Sequence, residues 1–293
     1  MPAKPTAGQT GQPPLNQIPR TAAPTGAGHE TRNRQQTEGF MKICSLSSGS
    51  KGNSLFIESE HTRVLVDIGL SARQITQRLQ SVSVEADSID AIVLTHSHND
   101  HISGAGVFSR QNGTPIYGHP ETLDDLLRYL RGREPLVPWE NTFQIKDLRF
   151  TPFRVSHDAF PTVGYLISDG SKTIAVCTDT GCVTPEIEEH LAQAGFIVLE
   201  SNHDPDMLMD GPYPWDLKER IASRVGHLSN RDAGSLLQRL LNGRIEKVLL
   251  AHLSDENNTP QLARDTVLEL VGARYEDLID VVGQKIVSPV YRF

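Results

Sequence analysis

The sequence predicts an α/β fold in which helices cover the outer faces of two packed sheets. From Met41 onward, short apolar strands alternate with helical patterns, and the order of these elements is similar in two halves of the chain. Residues able to bind metals recur where predicted strands end. Sheets with interspersed helices bury their apolar faces in such layers. The predicted class is therefore α/β, with two mixed sheets flanked by helices.

The first half contains strands separated by tight turns, together with two helices. Ile75 and Leu79 lie one helical turn apart, and Pro120 and Gly132 are typical of a helix start and of the position just beyond a helix end. The predicted strands are 42–46, 54–58, 62–67, 89–94 and 116–117, and the predicted helices are 71–80 and 120–130.

The second half repeats this alternation. Thr184 precedes Pro185 as a helix N-cap, and Ser229 opens a capping pattern with Asp232. The predicted strands are 142–145, 148–155, 163–167, 173–177, 196–200 and 247–251, and 280–292 is expected to close the last sheet. The predicted helices are 185–194, 215–223, 229–241 and 260–270.

Residues 1–40 differ in composition from the rest of the chain. Pro, Gly, Thr, Gln and Ala dominate this segment, which has too few large apolar residues to offset the entropy of ordering. We expect a disordered tail, followed by one domain over 41–293. A translation start assigned too far upstream and a genuine flexible extension both remain open.

Composition restricts the class of protein. The 293 residues are 38% hydrophobic and 22% charged, which is typical of a globular protein. No apolar stretch of about 18 residues and no secretory signal are present, so we expect no membrane contact and a cytoplasmic location. Three cysteines without C-x-x-C spacing argue against a disulfide framework. The net charge of -8 disfavours broad adsorption to nucleic acid, although local phosphate contacts stay possible.

A cluster of metal-binding residue types follows the apolar run 89–94. His96, His98, Asp100 and His101 form the pattern H-x-H-x-D-H. Imidazole and carboxylate ligands suit zinc, manganese or iron. A His-rich surface loop is the alternative, but such a loop rarely follows a buried strand. Because side chains two residues apart diverge on a helix, the ligands are expected on a loop that enters a helix with 102–108 as its first turns.

Three further strands end in residues of the same types. His157, Asp179 and His252 each follow a predicted buried strand. One such residue alone is more often a hydrogen-bonded boundary residue. Together with the H-x-H-x-D-H pattern, the three predict a single site at the strand ends.

Residues 94–104 closely resemble the signature of the metallo-β-lactamase superfamily. The resemblance implies an αββα sandwich and two divalent metal ions, Zn²⁺ or Mn²⁺. It also implies that His96, His98 and His157 hold one ion, that Asp100, His101 and His252 hold the second, and that Asp179 bridges both. Asp67 is either an acceptor for a ligating imidazole or a turn cap.

Four other segments, 47–54, 200–204, 226–230 and 251–258, resemble the YycJ/WalJ branch of metal-dependent phosphodiesterases. This resemblance implies a dinuclear hydrolase, similar to 5'-3' exonucleases, that cleaves DNA or RNA through a metal-bound hydroxide. A hydrolase of small esters or thioesters and a non-catalytic regulatory protein are the alternatives. The expected partner is a nucleic-acid substrate, and a homodimer is left open.

Residues outside the ligand set are expected to contact substrate. Asp100 and His227 are predicted to take part in catalysis. His227 lies just before the N-cap Ser229, where it could contact phosphate, donate a proton or simply cap the helix. The predicted phosphate-binding residues are Ser50, Lys51, Asn53, His203 and Asn230. A plain hairpin turn is the alternative for 47–54, and for His203 it is a supporting role behind the ligands.

Overall fold

Two sheets pack face to face between layers of helices. The computed structural model describes residues 40–241 and 243–293. The strands of this part of the chain are β1 (Lys42–Ser47), β2 (Ser54–Glu58), β3 (Arg63–Val66), β4 (Ala91–Val93), β5 (Ile116–Gly118), β6 (Leu136–Pro138), β7 (Phe143–Ile145), β8 (Leu148–Arg154), β9 (Val163–Ser168), β10 (Thr173–Cys177), β11 (Phe196–Glu200), β12 (Lys247–Ala251), β13 (Ile279–Val281) and β14 (Tyr291–Arg292).

The helices connect these strands across the outer faces. They are α1 (Ala72–Ser81), α2 (Asn99–Ile102), α3 (Ala105–Asn112), α4 (Pro120–Leu127), α5 (Pro185–Leu191), α6 (Pro205–Asp210), α7 (Trp215–Ala222), α8 (Asn230–Leu240) and α9 (Pro260–Val271), with short 3₁₀ turns at Ala86–Ser88 and Ala273–Leu278. None of the helices in the described ranges has the length and apolar character needed to cross a bilayer.

The two sheets have matching topologies. The first has the order β14-β1-β2-β3-β4-β5-β6 and the second the order β13-β12-β11-β10-β9-β8-β7. Each joins an antiparallel part to a parallel part, and the change occurs at β3 in the first sheet and at β10 in the second. The α/β sandwich of two mixed sheets with flanking helices is therefore confirmed.

Apolar residues fill three layers. The layer between the sheets contains the fully buried Phe150, Tyr165 and Phe196. One outer layer packs α1, α3 and α4 on the first sheet, and the other packs α5, α8 and α9 on the second. Because the central strands are buried on both faces, they read as continuous apolar runs in the sequence.

Helix starts follow the predicted capping chemistry. Ser71 and Gln74 form a capping box on α1, and the side chains of Thr184 and Ser229 accept backbone N–H groups of α5 and α8. The sequence analysis missed α6, although Asp204 before Pro205 is a cap signal of the same kind. It also missed β6.

Two predicted elements are wrong in detail. The ligand segment is not entirely a loop, because Asp100 lies within the one-turn helix α2 and a second helix, α3, begins only at Ala105. Gly104 lies between the two helices. Its backbone is so close to the carbonyl oxygen of Leu70 that a Cβ would be 2.1 Å from that oxygen, so a glycine is needed here. Segment 280–292 does not form one strand: β13 joins the second sheet and β14 joins the first.

The tail expected at 1–40 lies outside the described residues except for Phe40. The domain boundary at residue 41 stays a prediction.

Hydrogen bonds join the two sheets directly beneath the ligand segment. The hydroxyl of Tyr165 in β9 donates to the carbonyl oxygen of Leu94 at 2.6 Å. The backbone N–H of Val163 donates to the carbonyl oxygen of Thr95 at 3.2 Å. The chain that leads into His96 is thus held by the opposite sheet.

We predict that Tyr165→Phe lowers the free energy of unfolding by about 1–2 kcal/mol, because a buried carbonyl loses its hydroxyl partner. Denaturant unfolding measures the change. Tyr117→Phe is the matched control, since the Tyr117 hydroxyl has no hydrogen-bond partner among the described residues. Equal stability of the two variants would contradict the prediction.

Candidate metal centre

Strand ends bring the seven predicted ligand residues to one edge of the sandwich. His96 follows β4, His157 follows β8, Asp179 follows β10 and His252 follows β12. Asp179 and His252 adopt left-handed backbone conformations, with φ of 58° and 57°. Such a conformation costs non-glycine residues free energy, so the surrounding structure must impose it.

The nitrogen and oxygen atoms of these side chains converge. Four groups have ligand atoms within 4.8 Å of one another: His96, His98 and His157; Asp100, His101 and His252; His96, His101 and Asp179; and Asp179, Glu200, His227 and His252. The first two groups match the two ligand sets that the resemblance implies.

Asp179 lies between the two histidine groups. Its Oδ2 is 3.3 Å from Nε2 of His101, and its Oδ1 is 3.9 Å from Nε2 of His157. The same carboxylate is 3.4 Å from His252. A side chain in this position can reach cations held by either group.

Buried acceptors fix the orientation of three imidazoles. Nδ1 of His101 lies 2.8 Å from Asp67, and Nδ1 of His157 lies 3.0 Å from the carbonyl oxygen of Gly226. Nδ1 of His252 lies 2.7 Å from Glu200. When Nδ1 is hydrogen-bonded in this way, Nε2 is free to bind a metal.

Asp67 faces a predicted ligand, as the first of its two considered roles requires, and its other contacts are to a distant strand end rather than to a turn. One carboxylate oxygen faces His101, and the carboxylate also accepts the backbone N–H and the hydroxyl of Thr95, at 2.9 and 2.8 Å. It thus orients an imidazole and fixes the start of the ligand segment.

The inner atoms of the site fit a metal. Nε2 of His96, Nε2 of His252 and Oδ2 of Asp179 are buried without a hydrogen-bond partner in the described structure. Buried polar atoms are normally paired, and unpaired ones cost free energy. Divalent cations would pair all three, and the nitrogen and oxygen donors suit zinc and manganese.

Glu200 is the principal site residue to which the sequence analysis gave no role. Its side chain is fully buried, and Oε1 lies 2.9 Å from Nδ1 of His227 and 2.7 Å from Nδ1 of His252. Oε2 accepts the backbone N–H groups of Thr180 and Leu228. An available signal is that the buried apolar strand β11 ends in a carboxylate.

The predicted phosphate-binding residues divide into two kinds. Ser50 and Lys51 are exposed, and Ser50 lines a cavity beside His157 and His227. The ammonium of Lys51 pairs with Asp255 at 2.7 Å. These two residues are accessible to a ligand.

The other three are buried within the protein. Asn53 donates to the carboxylate of Asp100 at 3.2 Å and lies 3.0 Å from Nε2 of His101, so it supports the ligands. Asn230 is fully buried and hydrogen-bonded to Ser201, and His203 is only 4% exposed. Both side chains are therefore nearly inaccessible to a ligand in this structure, and phosphate binding by them stays a prediction.

A cavity of about 230 Å³ opens beside His157 and His227. Arg220 of α7 and Asp158 line it and form an ion pair, with 2.6 Å between Nε and Oδ2. The other oxygen of Asp158 is 3.4 Å from Nε2 of His157. The two residues are 62 positions apart in the sequence, so no local pattern predicts this contact.

The carboxylates make the site attractive to positive charge. Burial lowers the pKa of His101, but Asp179, Asp67 and Asp100 outweigh that effect and raise the pKa well above its ordinary value. The pKa of His252 is likewise raised, by Asp179, Asp100 and Glu200 against burial. When His101 and His252 are protonated, their positive charges balance the carboxylates as bound metal cations would.

The pKa values of three other histidines at the site and of Glu200 shift in directions that depend on their neighbours. Burial, together with neighbouring imidazoles, lowers the pKa of His96 and His98. Burial alone would raise the pKa of Glu200, but His227 and His252 hold it well below its usual range. Glu200 in turn raises the pKa of His227 despite burial.

Comparisons with known proteins agree with this fold and site. Residues 62–253 match the beta-lactamase superfamily domain. A crystal structure of the metallo-beta-lactamase fold protein YhfI from Bacillus subtilis superposes with a TM-score of 0.67 at 18% identity, over 87% of this chain and 99% of that one. Together they define the class of protein, a metal-dependent hydrolase with the metallo-β-lactamase fold.

Two curated relatives match over most of their length. Exodeoxyribonuclease WalJ of Streptococcus pneumoniae serotype 2 is 36% identical over 78% of this chain and 87% of its own. Exodeoxyribonuclease YycJ of Bacillus anthracis is 34% identical over 77% of this chain and 87% of its own. The chain belongs to the beta-lactamase superfamily and, within it, to the WalJ/YycJ family.

We predict that metal affinity falls as the pH is lowered, because cations must displace protons from His101 and His252, whose pKa values are raised. Each displaced proton changes the apparent dissociation constant by up to about tenfold per pH unit. Isothermal titration calorimetry with Zn²⁺ or Mn²⁺ in buffers of different ionisation enthalpy counts the protons. Affinity that does not depend on pH, without proton release, would contradict this account.

Proposed function

We propose that the protein is a dinuclear metal-dependent phosphodiesterase that degrades DNA as an exonuclease. The observation that carries the proposal is the position of Asp179, within 4 Å of histidines from both ligand groups. A carboxylate shared between two ligand sets can hold two cations close together, as two-metal hydrolysis needs.

The proposed ligand sets follow the two groups. His96, His98 and His157 would hold one ion, Asp100, His101 and His252 the other, and Asp179 both. Zn²⁺ and Mn²⁺ are the candidate metals because all donors are nitrogen or oxygen. When bound, such ions would supply Lewis acidity and lower the pKa of water at the site.

The protein's own groups would hold this arrangement and bind substrate. Asp67 and Glu200 fix the imidazoles of His101 and His252 through Nδ1. Asp100 borders the same space, and its pKa is lowered because His101 and His252 outweigh burial, so it stays ionised as a ligand and hydrogen-bond acceptor. Arg220 is positioned at the cavity to contact a phosphate.

We propose His227 as the proton donor to the leaving group. Its Nδ1 is held by Glu200 at 2.9 Å, the side chain is 21% exposed, and the ring lines the cavity. The side chain is therefore fixed at one end and accessible to a ligand. Positioned acids of this kind typically contribute about 10²–10⁴-fold.

DNA is the preferred substrate in this proposal because both curated relatives are named exodeoxyribonucleases. The 5'-3' direction, activity on RNA, a cytoplasmic location and a homodimer stay predictions. An intact set of carboxylate and imidazole groups favours catalysis over a purely regulatory role.

The test uses the metal-loaded protein on end-labelled single- and double-stranded DNA and RNA, beside bis-p-nitrophenyl phosphate and a thioester. We expect mononucleotide release from DNA, metal analysis close to two ions per chain, and loss of turnover in Asp179→Ala with the fold retained by circular dichroism. Thioester cleavage without phosphodiester cleavage would refute the proposal, as would fewer than one ion per chain after metal supplementation.

We further predict that His227→Ala lowers turnover of DNA by about 10²-fold or more while metal content stays unchanged. Turnover of bis-p-nitrophenyl phosphate should fall much less, because its leaving group needs little protonation. His61→Ala is the matched control, since His61 lies in the exposed β2–β3 turn. Loss of metal from His227→Ala would make His227 a ligand, and equal effects on both substrates would exclude proton donation.

A further inference from the structure

A second cavity also borders His157, one of the proposed metal ligands. It has a volume of about 380 Å³, and its walls include Trp139, Phe160 and His157. His157 also borders the smaller cavity that contains Arg220. The two cavities therefore share one proposed metal ligand in their walls.

Phe160 lies exposed at the edge of the second cavity. Its side chain is 73% exposed, in the turn that begins with His157. The turn is closed by hydrogen bonds from Val155 N–H to the carbonyl oxygen of Thr162 at 3.3 Å and from the Thr162 hydroxyl to the carbonyl oxygen of Ala159 at 2.7 Å. The structure thus holds a large aromatic side chain in water, three residues from a proposed metal ligand.

The rear of the cavity is also aromatic and ordered. Trp139 is 6% exposed, stacks on Phe143 with ring centroids 5.6 Å apart, and has His119 edge-on at 5.6 Å. This wall is fixed before any ligand arrives, so little ordering entropy opposes binding.

The charge of the lining disfavours phosphate as the occupant of this second cavity. Glu121, Glu140 and Glu186 line it, and Arg154 is the single Lys or Arg among its described lining residues. The other cavity instead contains His227 and Arg220, which is paired with Asp158. Phosphate is favoured on that side, and an uncharged planar group with amino hydrogens is favoured beside the carboxylates.

We propose that this second cavity is a nucleobase subsite in which Phe160 stacks on one base of a single-stranded DNA end. The inference rests on the proposed nuclease function and names the form of substrate: an unpaired base next to the phosphate at the metal centre. Aromatic stacking accepts any base because each has a π-face. An exonuclease with this subsite separates the terminal base from its partner before cleavage.

The test measures binding of a short phosphorothioate oligonucleotide, which resists cleavage, to the metal-loaded protein by fluorescence anisotropy. Phe160→Ala should weaken binding about tenfold, whereas Phe160→Tyr should stay within about twofold. Tyr129→Ala is the matched control, because Tyr129 is also exposed, at 54%, and does not line this cavity. Equal melting temperatures confirm that the variants fold.

Abasic substitution identifies the base. Removing the base that stacks on Phe160 should weaken binding to the wild type by the factor that Phe160→Ala causes with the intact strand. The same removal should cause no additional loss of binding to Phe160→Ala. A fully abasic strand should bind both proteins equally. The proposal is overturned if Phe160→Ala binds every strand as tightly as the wild type does. It is also overturned if Phe160→Ala loses as much affinity for the fully abasic strand as for the intact strand, or if no oligonucleotide binds.

The two proposals fail in different ways. If the oligonucleotide binds with the expected dependence on Phe160 but neither DNA nor bis-p-nitrophenyl phosphate is cleaved, the proposed function is wrong and the base subsite stands. If both are cleaved and binding does not depend on Phe160, only the subsite is wrong.

Discussion

Burial of charge at one edge of the sandwich is the constraint on which the rest of the site depends. Asp179, Glu200, His101 and His252 are all nearly or fully inaccessible to water. An ionised group in such surroundings costs several kcal/mol unless it is paired. The carboxylates and imidazoles are therefore arranged so that each charge faces an opposite charge, an N–H donor or the space left for a cation.

Glu200 shows how this pairing spreads through the structure. Its two oxygens receive four partners: the imidazoles of His227 and His252 and the backbone N–H groups of Thr180 and Leu228. One carboxylate thus joins the end of β10, the start of α8 and the end of β12. A change at any of these elements would move the imidazole that faces the metal and the one that faces the cavity.

The two-sheet architecture supplies the rigidity that such pairing needs. Central strands buried on both faces cannot shift without breaking the core, and Tyr165 ties the second sheet to the chain just before His96. The left-handed conformations at Asp67, Asp179 and His252 lie at the ends of these strands. The free energy that these conformations cost is offset by the packing of the two sheets, which holds the strand ends in place.

The two cavities that His157 lines differ in charge and in aromatic content. One presents Arg220 and His227, and the other presents aromatic rings and carboxylates. A polynucleotide carries the corresponding alternation of anionic phosphate and planar base. Because His157 lines both cavities, the proposed metal site would lie next to both parts of such a substrate.

The sequence by itself determined the features that depend on neighbouring residues: the H-x-H-x-D-H segment after an apolar strand, the caps at Thr184 and Ser229, and the alternation that gives two layered halves. Only the tertiary structure decided the role of Glu200, whose imidazole partners lie 27 and 52 residues away. It also decided that Asn230 packs inward and that 280–292 is shared between two sheets. Local sequence fixes backbone preference and capping, whereas the partner of a buried polar group depends on which distant strands the topology places side by side.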